Sequence, residues 1–181
     1  MTEGVARSKT TRASDATYFL YTGQEKRDVP RDVTRVVVHS SVKMIKAWAF
    51  AGCGRLTTVI LNDGLEVIGA CAFWECRSLR KIFTPPSVRA IEDAAFCHCW
   101  ELATAILNDG LEEIGKGAFG GCALERIDIP PSVRVIKDGA FRGYLGFTTA
   151  ILNNGLEKIG EGGFKGCALV RIDIPPHRQG D

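Results

Sequence analysis

The sequence predicts an α/β solenoid: a right-handed coil of repeats with short parallel strands on a concave face and short helical or 3₁₀ turns on the convex side. The first observation is a phenylalanine that recurs at steps of 23, 23, 23, 22 and 23 residues, at Phe50, Phe73, Phe96, Phe119, Phe141 and Phe164. Such a period is typical of solenoids, whose repeats bury apolar side chains only by stacking on neighbours. The second is a short alternating apolar run before each phenylalanine. The third is a strict alternation of two turn types.

Each repeat contains the same elements in the same order. It begins with an apolar run of the form L-x-x-I-x-I, whose alternation predicts a strand; these runs start at Val33, Leu56, Leu79, Leu102, Leu124, Phe147 and Leu169. A turn follows, either Pro-Pro, as at Pro85-Pro86, or Asn-Asp-Gly, as at residues 62–64. A second extended segment comes next, as at residues 65–68. The Ala-Phe segment then closes the repeat and is predicted to form one helical or 3₁₀ turn.

One phrase within the repeat carries a resemblance to a known family. Val-x-x-Ile, Ala-Phe, Cys and Leu follow one another at residues 88–91, Ala95-Phe96, Cys99 and Leu102, and again at residues 111–114, Ala118-Phe119, Cys122 and Leu124. This phrase resembles the leucine-rich repeats of the BspA-like class, and the resemblance covers about six repeats of 22–23 residues within residues 33–176. It implies a leucine-rich-repeat solenoid and a binding or surface-adhesive role.

Composition suggests the boundaries around this solenoid. Residues 1–17 are polar and predict a disordered tail, residues 18–32 an N-terminal cap, residues 33–176 the solenoid and residues 177–181 a C-terminal tail. The net charge of +2 argues against nucleic-acid binding driven by bulk charge. We expect no membrane insertion, because no apolar run reaches the roughly 18 residues that a spanning helix needs. Without an apolar secretory segment, a cytoplasmic location is expected.

Five of the seven cysteines follow the repeat phenylalanine by three residues, at Cys53, Cys76, Cys99, Cys122 and Cys167, with Tyr144 in the remaining repeat. We interpret them as core-filling side chains, with disulfide or metal binding as alternatives. Cys97-His98-Cys99 holds metal-ligand atoms, but His98 is expected to face outward. Residues 115–120 match G-x-G-x-x-G without the long helix of a dinucleotide site. We therefore expect no cofactor, no metal and no catalytic residues, and hence no enzyme.

The positions between the inward-facing residues of each first strand should lie on the concave face. One ladder alternates basic residues with threonine, at Arg35, Thr58, Lys81, Thr104, Arg126, Thr149 and Arg171. The ladder two residues later begins with four apolar residues and ends by alternating with aspartate, at Val37, Ile60, Phe83, Ile106, Asp128, Ile151 and Asp173. Spacing bases with threonine also avoids repulsion between strands, and Arg126 with Asp128 could form a solvated pair. A contiguous apolar stretch tends to mark an interaction site, unless residues 18–32 fold back over it.

These observations predict a non-enzymatic scaffold that binds a protein partner on its concave face. The protein-binding residues are predicted to be Arg35, Val37, Ile60, Lys81, Phe83, Ile106, Arg126 and Asp128. The alternatives are a structural or assembly unit that stacks through the ends of its solenoid, and a surface adhesion module. The basic rim favours a partner with acidic character, and the aspartates disfavour nucleic acid.

Overall fold

The computed structural model describes residues 11–13, 16–143, 145–169 and 171–173, and it forms a parallel-strand β-solenoid. Besides the strands, the described residues contain one 3₁₀ helix, Lys26–Asp28. The strands in chain order are β1 (Thr11–Ala13), β2 (Ala16–Tyr21), β3 (Arg35–Val38), β4 (Met44–Ile45), β5 (Thr58–Ile60), β6 (Val67–Ile68), β7 (Lys81–Phe83), β8 (Ala90–Ile91), β9 (Thr104–Ile106), β10 (Glu113–Ile114), β11 (Arg126–Asp128), β12 (Val135–Ile136), β13 (Thr149–Ile151), β14 (Lys158–Ile159) and β15 (Arg171–Asp173).

The first extended segment of each repeat forms one wall of the solenoid, the ladder wall. Its strands are parallel and in register, so Arg35 lies opposite Thr58, Lys81 opposite Thr104, and Arg126 opposite Thr149. This confirms the predicted alternation of basic residues with threonine. In the described part, hydrogen-bonded pairing divides the wall into three groups: β1-β2-β3-β5, β7-β9 and β11-β13-β15.

The second extended segment of each repeat forms a continuous six-stranded parallel sheet, in the order β14-β12-β10-β8-β6-β4. Each of these strands is two residues long because the chain must turn again within the same repeat. Ile45, Ile68, Ile91, Ile114 and Ile136 point inward from this sheet and are fully buried. Two sheets therefore enclose the core, as the alternating apolar pattern predicts.

The Ala-Phe segments form the third wall of the solenoid, called here the turn wall. Their structure differs from the sequence prediction. These segments are turns and not helices, so the α/β assignment and the helical convex side were wrong. Two residues in each of these segments have left-handed backbone angles, such as Trp48 at φ 63° and Gly52 at φ 78°, which interrupt a right-handed helix. The Phe96 N–H instead donates to the Ala118 carbonyl of the next repeat at 2.8 Å, and the equivalent bond is made by Phe50, Phe73, Phe119 and Phe141. The turn wall is thus bonded between repeats.

The repeat phenylalanines form one continuous stack through the core. Phe50, Phe73, Phe96 and Phe119 lie with neighbouring ring centroids 5.1–5.2 Å apart and planes within 10° of parallel. The stack continues through Phe141 to Phe164. Each ring therefore buries its two faces against its neighbours, so the central repeats depend on one another.

The cysteine column runs beside this stack, and the core-filling interpretation is confirmed for Cys53, Cys76, Cys99 and Cys122, which are buried. Cys167 is half-buried, and position 144 lies outside the described residues. All seven cysteines are free. The Cys99 thiol donates to the Phe73 carbonyl at 3.1 Å, and Cys76, Cys122 and Cys167 make the equivalent contact. Burial raises the pKa of the Cys53 thiol to about 11, which keeps it protonated at neutral pH.

Asparagine side chains connect successive repeats at the turns. The Asn153 amide nitrogen donates to the Pro130 and Val133 carbonyls of the preceding repeat, at 2.5 and 2.9 Å, and the Gly155 N–H donates to its Oδ1 at 2.7 Å. Asn62 and Asn108 bond the preceding repeat in the same way. Sequence reasoning assigned these residues to local turns, and the structure shows that they also hold neighbouring repeats together.

Side chains of opposite charge alternate from repeat to repeat just before the strands of the six-stranded sheet. Lys43 lies 3.4 Å from Glu66, Arg89 lies 2.6 Å from Glu112, and Arg134 pairs with Glu157. The side chains of these pairs are more than half exposed, so each pair stabilises the fold only weakly.

Replacing Glu112 with lysine is expected to lower the free energy of unfolding by roughly 0.5–1 kcal/mol at low salt, and so to lower the melting temperature slightly. The substitution removes the partner of Arg89 and places a third positive charge between Arg89 and Arg134. Thermal unfolding at low and high salt measures this effect, which salt should reduce. Glu112→Gln is the control, because it removes the pair without adding repulsion and should cost less. An equal loss at both salt concentrations would contradict an electrostatic origin.

The chain outside the repeats is described in part. Of the predicted disordered tail, residues 1–17, the structure describes residues 11–13 and 16–17, and these are in strands. Within the predicted cap, Phe19, Tyr21 and Val29 are buried, and β2 extends the ladder wall by pairing with β3. The predicted C-terminal tail lies outside the described residues. In the part of the chain that the structure describes, no helix has the length and apolar character needed to cross a membrane.

Candidate functional site

The ladder wall presents an exposed apolar patch to solvent, formed by Val37, Ile60, Phe83 and Ile106. Ile60, Phe83 and Ile106 are 51%, 54% and 55% exposed, and Val37 is half-buried. In β7, the residue between the two outward-facing positions is Ile82, which is fully buried. One face of β7 therefore packs against the core through Ile82, and the other face exposes Phe83 to solvent.

The cap segment does not cover this patch. β2 lies beside β3 in the plane of the sheet, with Phe19 paired to Val36 and Tyr21 to Val38. The alternative that residues 18–32 fold back over the patch was therefore wrong. A half-exposed aromatic side chain still has about half of its apolar surface available to be buried by a partner.

Strand register decides which patch residues are direct neighbours. Val37 lies opposite Ile60, and Phe83 lies opposite Ile106. The pairs belong to separate hydrogen-bonded groups, because in the described sheet β5 is bonded to β3 and β7 to β9. The structure thus brings the four predicted apolar residues onto one face as two neighbouring pairs.

Charged residues flank the apolar patch. Arg35 and Lys81 precede it on their strands, are exposed, and make no ion pair within the described residues. Arg126 and Asp128 make a two-pronged contact within β11, with Nε–Oδ1 at 2.8 Å and Nη2–Oδ2 at 3.0 Å. The solvated pair that the sequence allowed is therefore present, and Asp128 offsets the charge of Arg126.

A groove of about 400 Å³ lies between β9 and β11, where two strand groups of the ladder wall meet. Ile106 lines one side, and Arg126 and Asp128 line the other. Three of the predicted site residues thus surround one depression beside the apolar patch. The groove was not predicted, because the sequence does not show where strand pairing stops.

The G-x-G-x-x-G match at residues 115–120 and the Cys97-His98-Cys99 cluster, which could have indicated a dinucleotide or metal site, both lie in the turn wall. The glycines of residues 115–120 follow β10 and lead into turns, and Phe119 belongs to the core stack. His98 is exposed, as expected for a residue beside the buried Cys99. Within the described residues, no three His, Cys, Asp or Glu side chains converge in a way that could hold a metal ion.

Sequence reasoning missed a second exposed group on the turn wall, formed by Trp48, Trp74, His98 and Trp100 and called here the aromatic edge. Trp48 and Trp74 have ring centroids 6.0 Å apart, and Trp74 and His98 are 6.4 Å apart. Trp48 lies two residues before its repeat phenylalanine, whereas Trp74 and His98 lie one and two residues after theirs. Because the offsets differ, alignment of the repeats places these residues in different columns and hides their contact.

The repeats match a described family and several solved structures. The family described as "BspA type Leucine rich repeat region" matches in six copies, over residues 30–146 and 112–179. A crystal structure of a leucine-rich repeat protein from T. pallidum is 33% identical, with a TM-score of 0.63, and the match covers 70% of this chain and 60% of that one. Curated protein sequences gave no match.

More distant structures share the fold. A leucine-rich repeat protein from Bacteroides ovatus is 24% identical with a TM-score of 0.62, and the match covers 88% of this chain and 48% of that one. The pneumococcal vaccine antigen PcpA is 21% identical with a TM-score of 0.54, and the match covers 91% of this chain and 38% of that one. The matched region is less than two thirds of each of the three solved chains.

Proposed function

Because the chain belongs to the BspA-type leucine-rich repeat family, we propose that it is a non-enzymatic module that binds a protein partner on its ladder wall, around Phe83. Repeat families of this kind fit protein-interaction or adhesion roles, since a stack of repeats presents an extended surface built from many strands. We propose that the ladder wall is the concave surface of the solenoid. The cytoplasmic location remains a prediction.

The exposed apolar patch is the observation that carries this proposal. Ile60, Phe83 and Ile106 each leave about half of their surface in water, whereas the residue before each on its strand is buried or partly buried. A core of aromatic and aliphatic residues within a polar rim is the usual composition of a binding hot spot. Phe83 is the largest member and is proposed as the anchor.

Charges around the patch indicate the character of the partner. Arg35 and Lys81 are exposed bases without an ion pair among the described residues, and they would favour acidic groups on a partner. Arg126 is balanced by Asp128 at 2.8 Å, so the wall offers no continuous basic track. A protein with some acidic character fits this surface better than a phosphate backbone.

A second candidate function is end-to-end assembly through the last strand. β15 pairs with β13 and is the terminal strand of its group in the described residues. An open strand edge can pair with another chain. Concentration-dependent association of the purified chain, without any partner, would favour this candidate, and a monomer at high concentration would oppose it.

Capture of binding proteins with immobilised variants tests the principal proposal. The wild-type chain and Leu145→Ala are expected to retain the same binder, whereas Phe83→Ala is expected to lose it. Leu145 is a matched control because it is also apolar, is 78% exposed and lies outside the ladder wall. Lys81→Glu should weaken capture and make it less dependent on salt. Equal capture by Phe83→Ala and the wild type would contradict the proposed site.

A further inference from the structure

The turn wall carries a second exposed apolar surface, distinct from the ladder wall. Trp48 and Trp100 of the aromatic edge are 47% and 52% exposed. Ring contacts join Trp48 to Trp74 and Trp74 to His98, and His98 and Trp100 line the same cavity. Tryptophan is among the residues most enriched at binding hot spots, and contiguous exposed aromatic groups are uncommon on isolated domains.

The aromatic edge ends at a cavity of about 650 Å³. His98 and Trp100 line one side, and the glycines of the following repeats, including Gly117 and Gly139, line the other. A side chain at Gly117 would meet no atom within 4 Å, so the missing side chains leave open space. The volume lies within the usual range for ligand pockets and can accept an aromatic side chain.

The shape of the cavity follows from substitutions within the repeat. Trp48, Cys71 and Ala94 occupy the position before Ala-Phe in the earlier repeats, with φ of 63°, 53° and 53°, and glycines occupy it at Gly117 and Gly139 with φ of 61°. The backbone is therefore the same, and only the side chains change. Only Trp48 is bulky at this position. One and two residues after the repeat phenylalanine, where earlier repeats carry Trp74 and His98, the Phe119 repeat has Gly120 and Gly121, and these glycines line the cavity.

Two basic residues without an ion pair among the described residues border the cavity. Lys116 and Arg142 line it and make no ion pair with any residue that the structure describes. Asp138 also lines the cavity and keeps its negative charge, although its Oδ1 accepts a hydrogen bond from the Glu161 N–H at 2.9 Å, so the charged residues of the lining sum to one positive charge. Arg77 stacks on Trp100 at 4.4 Å and is neutralised by Glu75 at 2.9 Å. The cavity thus combines an aromatic wall with two available cations.

We propose that this cavity binds an aromatic side chain presented by an acidic peptide segment of a protein partner, making the turn wall a second interaction surface. The ring would pack against Trp100 and His98, in the space above the glycines. Carboxylates beside the ring in the peptide would meet Lys116 and Arg142 at the border. The assignment does not depend on the ladder wall, because no residue lines both the cavity and the groove beside Ile106.

Titration of the full chain with three blocked peptides tests the chemistry. The probes are acetyl-Glu-Phe-Asp-amide, the same peptide with alanine in place of phenylalanine, and acetyl-Lys-Phe-Lys-amide. Tryptophan emission and amide chemical shifts report binding, since Trp100 and Gly139 line the cavity. The acidic aromatic peptide is expected to bind about tenfold more tightly than either of the others. Absence of saturable binding, or equal binding of the basic peptide, would overturn the proposal.

Variants of the chain locate the binding. Gly139→Trp fills the cavity with the residue that position 48 already carries at nearly the same φ. It should lower the affinity for the acidic aromatic peptide about tenfold. Gly162→Trp makes the same change in the last repeat, at φ 63° and outside the cavity lining. It should bind the acidic aromatic peptide with wild-type affinity. Arg142→Gln leaves the backbone unchanged and should weaken binding about fivefold. Loss of peptide binding in Phe83→Ala, with Gly139→Trp and Arg142→Gln unaffected, would place the peptide on the ladder wall and overturn this assignment.

Discussion

Replacing Phe96 with alanine is expected to lower the free energy of unfolding by about 3–5 kcal/mol. The Phe96 ring is fully buried and lies 5.2 Å from both Phe73 and Phe119, with planes tilted by 2° and 10°. Its removal leaves a cavity in the centre of the stack and takes a partner from both neighbouring rings. Chemical denaturation should show the loss, and the melting temperature should fall by about 10 °C.

Phe83→Ala is the matched control for this prediction. The two variants delete the same atoms, but Phe83 is 54% exposed and lies outside the buried core. The control should therefore lose far less, within about 0.5–1 kcal/mol of the wild type. Similar losses in the two variants would show that Phe83 supports the fold and that the ladder wall is not a free surface.

Replacing Asn153 with alanine is expected to lower the free energy of unfolding by about 1–3 kcal/mol. The substitution leaves the carbonyl of the buried Val133 without its amide donor, whereas the Pro130 carbonyl still accepts from the Val133 N–H at 3.1 Å. Leaving a buried polar group without a partner costs about 1–3 kcal/mol, and one such group is created. Chemical denaturation of the full chain measures the loss.

The neighbouring residue provides the control for this second variant. Asn154 has the same chemistry but is exposed, so Asn154→Ala should change the unfolding free energy by less than about 0.5 kcal/mol. Equal losses in the two variants would indicate a general effect of the turn and not the bonds to the preceding repeat. In Asn153→Ser the shorter hydroxyl side chain cannot reach both carbonyls, so this variant should not regain the wild-type free energy of unfolding.

Much of the fold could be predicted because one pattern is repeated. The alternating runs place Arg35 opposite Thr58 and Phe83 opposite Ile106, as the register shows. The helical turns could not be excluded from the sequence, because Trp48 and Cys71 give no sign of a left-handed backbone. Glycine at the equivalent positions of later repeats was the available signal. Hydrogen bonds between repeats, such as Phe96 to Ala118, then replace those that a helix would make.

The predicted site residues lie on one face, but their detailed arrangement depends on pairing that the pattern does not encode. The groove between β9 and β11 arises because two strands at equivalent positions of neighbouring repeats are not hydrogen-bonded to each other in the described sheet. The Arg126–Asp128 contact was anticipated from their spacing, since alternate residues of a strand share a face. The aromatic edge was not, because its members lie at different positions in successive repeats.

The affinity of the captured partner for the wild-type chain and for Phe83→Ala, measured by calorimetric titration, tests the proposed binding surface most directly. Phe83→Ala should weaken binding by about 2 kcal/mol, or roughly thirtyfold, while its unfolding free energy stays close to the wild-type value. Leu145→Ala should leave both quantities unchanged. Unchanged affinity in Phe83→Ala, or weakened affinity accompanied by a loss of stability like that of Phe96→Ala, would contradict the assignment of the ladder wall as the partner-binding surface.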